Sequence, residues 1–380
     1  MTSYRIPFNR PSFAGPEPAY LADAMARGHI SGGGHWTRQC HALLERELGV
    51  RRALLTTSCT HALEMCALLL GLSPGDEVIV PSFAFVTTAA AFALHGARPV
   101  FVDVRRDTLN LDEGALERRI GPRTRAVVAL HYAGVACEMD SISEVCERRG
   151  VVLLEDNAHG LLGAYRGRPL GTIGALATLS FHETKNLTCG EGGALLVNDP
   201  ALVERAEVLR EKGTDRSRFL RGEVQKYTWV DHGSSWLPSD LLAAVLYAQL
   251  EARDRIQAAR RALWERYETR LAGWAREQGI GLPIVPAGCA QAWHLFRVTC
   301  ASTAQRDALI EHLRLRGILA VFHYLPLHLS PMGLRYGGRP GDCPVAEDVA
   351  GRILRLPLYN SMSLSEQDEV IAALHAFPAA

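Results

Sequence analysis

Two polar clusters stand at the ends of apolar runs in this chain. The run Val151-Val-Leu-Leu154 leads into Glu155 and Asp156, with His159 and Gly160 just beyond. In open α/β sheets, ligands bind in the crevice beyond the strand C-termini. A carboxylate there either caps the following turn or holds a positively charged heterocyclic nitrogen. On this segment alone the two readings for Asp156 weigh equally. His159 is spaced to reach an oxygen on the same ring.

The second cluster is Ser180-Phe-His-Glu-Thr-Lys185-Asn-Leu-Thr-Cys-Gly190-Glu-Gly192-Gly193. An ordinary surface lysine is the usual reading of such a position. Two facts weigh against it. Lys185 follows a predicted strand into a Gly-rich loop, where the crevice should lie. Lysine is also almost absent: of 41 cationic residues only Lys185, Lys212 and Lys226 are not arginine. A coding bias toward Arg accounts for the imbalance, but Arg cannot lose its proton and attack a carbonyl. A desolvated Lys185 could do so and form a Schiff base. Ser180, five positions earlier, could donate to a phosphate.

Two further segments supply what such a lysine would need. A strand ending near Thr57 is followed by a helix beginning near Cys59, with Ser58 as its N-cap. The exposed N–H groups of Cys59 and Thr60 would make an anion site for phosphate. Any α/β protein has capped helices, so this signal is weak alone. Phe85, in Pro81-Ser-Phe-Ala-Phe85, could stack on a flat ring, although core packing is the commoner fate of a Phe. No dinucleotide fingerprint, P-loop, HExxH or GxSxG occurs. A carbonyl-attacking lysine, a carboxylate for a pyridinium, a stacking aromatic and a phosphate cup together specify pyridoxal 5′-phosphate.

These residues must be held by a scaffold, and the apolar pattern shows one. Strand candidates are Val78–Val80, Val100–Val104, Ala126–His131, Val151–Glu155, Leu176–Phe181 and Ala194–Val197. Helical segments such as Leu63–Leu70 and Ser141–Arg148 lie between them. Continuous apolar strands alternating with helices imply a parallel sheet covered on both faces. From about Ser239 a helical pattern runs toward Trp274, and Gly279–Gly288 reads as a connection. A strand (His294–Thr299), a helix (Thr303–Arg316), a strand (Ala320–Tyr324) and two more helices follow. The last helix opens with Ser363 and Glu366 in capping-box spacing. The expectation is a large α/β domain over residues 1–245, with an N-terminal arm, and a smaller α+β domain over 246–380.

Composition agrees with a globular enzyme. The chain has 380 residues, enough for two domains of ordinary size, with 48% hydrophobic and 22% charged residues. Its 41 acidic and 41 basic residues cancel, which argues against nucleic acid or an anionic membrane as partner. Nine cysteines, an odd number without metal-ligand spacing, predict a reducing cytoplasm and no metal site. No apolar run reaches membrane-spanning length.

Five stretches resemble the DegT/DnrJ/EryC1/StrS sugar aminotransferase family, of the aspartate aminotransferase-like (fold type I) superfamily. They are His131–Asp140, Ser180–Asn186, Arg210–Thr214, Lys226–Trp229 with Gly233–Ser235, and Ala320–His328. The likeness runs along practically the whole chain and is nearest to dTDP-4-amino-4,6-dideoxyhexose transaminases.

The resemblance implies roles residue by residue. Lys185 falls on the Schiff-base lysine and Asp156 on the carboxylate paired with the pyridine nitrogen. His159 falls beside the phenolic oxygen and Phe85 on the stacking aromatic. Ser180, Cys59 and Thr60 fall on the phosphate cup, with Ser58 at its helix cap. Homodimers with shared active sites are implied, and Ser235 stands where a partner's Asn commonly touches the phosphate. His323, Tyr324 and His328 match a substrate-side motif, and Lys212 or Lys226 is expected to meet the nucleotide diphosphate. The implied reaction moves an amino group from L-glutamate to C4 of a dTDP-4-keto-6-deoxy sugar by a ping-pong route. Competing readings are a 3-keto-sugar aminotransferase, a 3-dehydratase, which carries His in place of the lysine, and a non-catalytic sugar-nucleotide binder.

Overall fold

The computed structural model describes residues 4–378. Seven strands form the central sheet: β1 (Arg52–Thr56), β2 (Glu77–Pro81), β3 (Arg98–Val102), β4 (Thr124–Leu130), β5 (Val152–Asp156), β6 (Leu176–Ser180) and β7 (Gly193–Val197). Across the sheet the order is β1-β7-β6-β5-β4-β2-β3. The strands run parallel except β7, which opposes both β1 and β6. The inner strands are buried almost throughout, as continuous Val, Leu and Ala runs require when helices cover both faces.

The exception has a local cause. A parallel return from β6 would need a crossover helix, and the Gly-rich segment between Phe181 and Gly192 contains none. The chain therefore turns back beside β6, with Ser180 opposite Gly193. Lys185 lies in that connection.

The helical run expected from Ser239 is two helices, Asp240–Glu251 and Arg253–Glu277, broken at Ala252. The first packs on the N-terminal helices Glu17–Ala26 and His35–Leu48. The second joins a separate core with the helices Thr303–Arg314 and Leu364–His375. Trp264, Tyr267, Leu313 and Ile371 are buried there, each large side chain contributing about 1.5–3 kcal/mol on leaving water. Ile6 belongs to this core too, bonded to Gly317 and Leu319. Strands β8 (Phe296–Thr299) and β9 (Ile353–Leu356) pair antiparallel within it. The capping box of Ser363 and Glu366 opens the last helix.

The strand expected over Ala320–Tyr324 does not form. Val321 pairs with Arg355 through both backbone bonds, at 3.1 and 2.8 Å, and the ladder stops there. Phe322, His323 and Tyr324 leave the sheet edge to line a cavity, and Pro326 has no N–H to extend pairing. Among the described residues no helix is long and apolar enough to cross a membrane.

Candidate active site

A cavity of about 800 Å3 opens where β5, β6 and the N-terminus of helix Cys59–Leu69 converge. Its wall includes Ser58, Cys59, Thr60, Phe85, Asp156, His159, Ser180, Lys185, His323 and Tyr324. These ten were picked out by position at strand or helix ends, or by motif, and the fold brings them together.

At the sheet end, Asp156 is only 3% exposed. Burial pushes its carboxyl up, and four neighbours oppose this: the Thr88 hydroxyl at 2.7 Å, the Ala158 N–H at 3.2 Å, and the charges of Lys185 and His131. A cation set against this carboxylate would complete the balance. Its neighbour Glu155 faces the other way. It accepts from Gly171, Ile173 and Gly174 backbone N–H groups and meets His131 at 2.9 Å, which is a structural role.

Lys185 projects into the cavity from the hairpin connection. Burial lowers its amine to about 8, and the charge of Arg355 adds to that, while Cys59 and Asp156 oppose. An amine held this low is nucleophilic near neutral pH.

The anion cup is built as its capping chemistry requires. Ser58 Oγ accepts from the His61 N–H at 3.1 Å and closes the helix start. The Cys59 and Thr60 N–H groups follow at the first turn, with Ser180 facing them across the cavity. Gly193 makes this approach possible, since a Cβ there would stand 2.4 Å from the Cys59 nitrogen.

His159 is buried and neutral, its titration pulled well below the usual range by burial. Its Nδ1 accepts from the Ala133 N–H at 3.3 Å, and its ring stacks on His294. Phe85 is 55% exposed on the rim, so it is free to meet a ligand ring rather than locked in the core. His323 Nδ1 bonds the Tyr132 hydroxyl at 2.6 Å.

Four expected site residues lie elsewhere. His328 does not line the cavity. It is fully buried between the Ser82 hydroxyl at 2.6 Å and Glu347 at 3.0 Å, where it ties the segment after Tyr324 to the end of β2. Within one chain this placement leaves it no substrate contact. Lys212, Lys226 and Ser235 are exposed on the Glu211–Ser235 segment, outside the cavity. Conversely, Phe8, His294 and Arg355 line the cavity without having been singled out.

A family model described as the DegT/DnrJ/EryC1/StrS aminotransferase family matches residues 14–375. The chain belongs to that family. SpsC, a spore coat polysaccharide biosynthesis protein of Bacillus subtilis (strain 168), is 33% identical over 377 residues, 97% of this chain and 96% of that protein. DesV of S. venezuelae is 34% identical, with a TM-score of 0.88 over 98% of both chains. Spr1654 of Streptococcus pneumoniae, solved in its PLP form, has a TM-score of 0.91 at 26% identity, over 98% of both chains. The aminotransferase has the fold type I architecture, and pyridoxal 5′-phosphate is its cofactor. The cavity fits that group. Asp156 is a buried carboxylate lacking a full positive partner, the glycine at 193 leaves the cup open, and Lys185 is a low-pKa amine between them.

Proposed function

We propose that this aminotransferase moves an amino group from L-glutamate to C4 of a dTDP-4-keto-6-deoxyhexose. The products are 2-oxoglutarate and a dTDP-4-amino-4,6-dideoxyhexose of galacto or gluco configuration. The observation that carries the transaminase chemistry is Lys185, its amine lowered to about 8 within one cavity with buried Asp156. The names of relatives support a sugar as acceptor: SpsC acts in polysaccharide biosynthesis, and Spr1654 is described as a putative sugar aminotransferase. Choice of C4, of dTDP and of glutamate rests on the sequence resemblance.

When bound, pyridoxal phosphate supplies an electrophilic carbonyl and an electron sink. The chain's residues do the rest. Ser58, Cys59, Thr60 and Ser180 hold the phosphate. Asp156 keeps the proton on the ring nitrogen. His159, with Nδ1 already bonded, offers Nε2–H to the ring oxygen. Phe85 covers the ring face. Lys185 takes the proton from the donor's α-carbon and returns one to the acceptor's C4 in the second half-reaction.

We also take the working unit to be a homodimer. Phe219, Leu220, Tyr227, Trp229 and Val230 are 40–77% exposed on the same segment as Lys226 and Ser235. An apolar stretch of this kind marks a surface that a partner covers. Lys212, Lys226 and Ser235 would then serve the partner's cavity.

The deciding experiment is incubation with dTDP-4-keto-6-deoxyglucose and L-glutamate, followed by NMR of the sugar. A new amino-bearing C4 is expected. Amination at C3 of an isomeric keto sugar, with none at C4, would overturn the C4 assignment.

A further inference from the structure

We propose that His294 accepts a hydrogen bond from a hydroxyl of the acceptor sugar, the one on a carbon next to the reacting carbonyl. The inference deepens the sugar-aminotransferase reading and rests on a sugar as acceptor, not on amination at C4.

His294 lies on the cavity wall, 8% exposed, and its partner fixes where its ring proton sits. The Asn186 amide nitrogen donates to the Ala292 carbonyl at 2.6 Å and to the Gln257 amide oxygen at 3.2 Å. The Asn186 oxygen is therefore the atom that faces His294 Nδ1 at 2.9 Å, and an amide oxygen can only accept. So Nδ1 carries the proton. Burial holds the titration of this ring well below the usual range, and the charge of Lys185 adds to that, which keeps it neutral. Its Nε2 is left as a bare lone pair with no protein partner among the described residues. Two neighbouring imidazoles are set the other way. His159, stacked on His294 with 24° between the ring planes, accepts at Nδ1 from the Ala133 N–H. Tyr132 is fully buried, and among the described residues its hydroxyl finds no acceptor but His323 Nδ1, at 2.6 Å. Both of these rings carry Nε2–H, so one wall holds two N–H donors and one lone pair.

The chemistry of what enters the cavity says what meets that lone pair. Pyridoxal phosphate offers one N–H, at the ring nitrogen, and Asp156 is placed for it. Its phenolic oxygen and phosphate oxygens call for donors. The carboxylates of an amino acid only accept, and its amino nitrogen is the group being transferred. A keto-deoxy sugar brings hydroxyls, and one of them stands next to the carbon that Lys185 serves. Asn186 follows Lys185 in the chain, so its bond to His294 ties the position of the lone pair to that of Lys185. A hydroxyl at this point satisfies a buried acceptor. A sugar lacking it leaves His294 Nε2 unpaired, which is how a polar wall rejects a deoxy analogue.

The test runs the second half-reaction backwards, adding amino sugars to the yellow holoenzyme and following the bleaching of the cofactor band. One set of probes is dTDP-4-amino-4,6-dideoxyglucose with its 3-deoxy analogue. The other is dTDP-3-amino-3,6-dideoxyglucose with its 2-deoxy and 4-deoxy analogues. Within the set it accepts, the wild type should prefer the full hydroxyl complement over a deoxy analogue by about 10- to 100-fold in kcat/KM, the effect of a buried acceptor left unpaired. His294→Phe keeps a flat ring against His159 and removes the lone pair, so the preference should fall to about threefold or less. His294→Gln offers an amide oxygen and should keep more of the preference than His294→Phe; the reverse order counts against the proposal. A wild type without the preference overturns it, as does a His294→Phe enzyme that slows with every member of the set alike and keeps their ratio. NMR of the holoenzyme labelled at its histidine nitrogens gives a reading independent of the sugar. The ring signals lost on His294→Phe should be those of a neutral imidazole protonated on Nδ1, and a proton on Nε2 overturns the proposal. A wild type bleached by the 3-amino set and not by the 4-amino set overturns the C4 assignment alone, because the 3-amino set then reports on His294.

Discussion

The Ala133 backbone N–H donates to His159 Nδ1 at 3.3 Å, and the His159 ring lies on His294 with centroids 4.3 Å apart. This bond places the ring proton on Nε2. Ala133 reaches the donating position with φ 60°, a left-handed backbone that costs a non-glycine residue about 1–2 kcal/mol. Such strain at a cavity wall persists because surrounding structure holds it. His159→Phe keeps a flat ring against His294 and removes the donor. Cofactor affinity should fall about tenfold, with a shifted absorbance maximum, as expected for one lost hydrogen bond. Spectral titration checks this, and an unchanged spectrum and affinity would detach His159 from the cofactor.

Lys185→Arg keeps the charge and removes the nucleophile. Transamination should fall by at least about 1,000-fold, because both covalent attachment and proton transfer are lost. An exchange assay between glutamate and labelled 2-oxoglutarate reads the loss. In the cofactor-free protein, modification of Lys185 by an amine-directed reagent should be half-maximal near pH 8, not near 10.5.

His328→Ala distinguishes a buried tie from a substrate contact. Removing it leaves Ser82 and Glu347 without their shared partner, at a cost of about 2–4 kcal/mol. Denaturant unfolding should show that loss while the KM for the sugar stays unchanged. A raised KM at unchanged stability would return His328 to the substrate side.

Acid should destabilise the fold below about pH 6.5. His41, His159, His294 and His323 all titrate well below 6.5 in the folded chain, because burial disfavours their charged form. The unfolded chain therefore binds more protons as pH falls through 6.5. Stability is complete above that value and is lost below it, by up to about 1.4 kcal/mol per pH unit for each histidine. Melting temperatures measured between pH 7.5 and 5 check the slope. A flat profile would mean that these imidazoles take up protons in place.

Much of the site was legible because of where it sits. Asp156, Ser180 and Ser58 each stand at the point where a buried apolar strand stops, and a doubly covered sheet makes such stops visible as changes of residue type. Lys185 stood out by scarcity. Arg355 and His294 gave no such signal. Arg355 lies on a strand of the second core and His294 just before its partner strand, and only the tertiary fold brings them to the cavity that holds Lys185. Motif order also misled at His328. It shares a stretch with His323 and Tyr324, but the chain passes the cavity at Tyr324 and is buried again by Leu327. The missing strand over Ala320–Tyr324 has the same origin: apolar residues there line a cavity rather than a ladder.

The strand order β1-β7-β6 has a consequence for how the molecule is made. β1 leads directly into the helix whose first turn is proposed as the phosphate cup, yet its partner in the sheet is β7, which begins only at Gly193. A cup that includes Ser180 cannot be complete until the chain through β7 has been made, since β7 is what joins β1 to β6. Until then the emerging chain exposes an unpaired apolar strand, the kind of edge that sticks to other chains. The cofactor can be held only once β1, β7 and β6 are paired, because the cup and Lys185 lie on either side of that pairing.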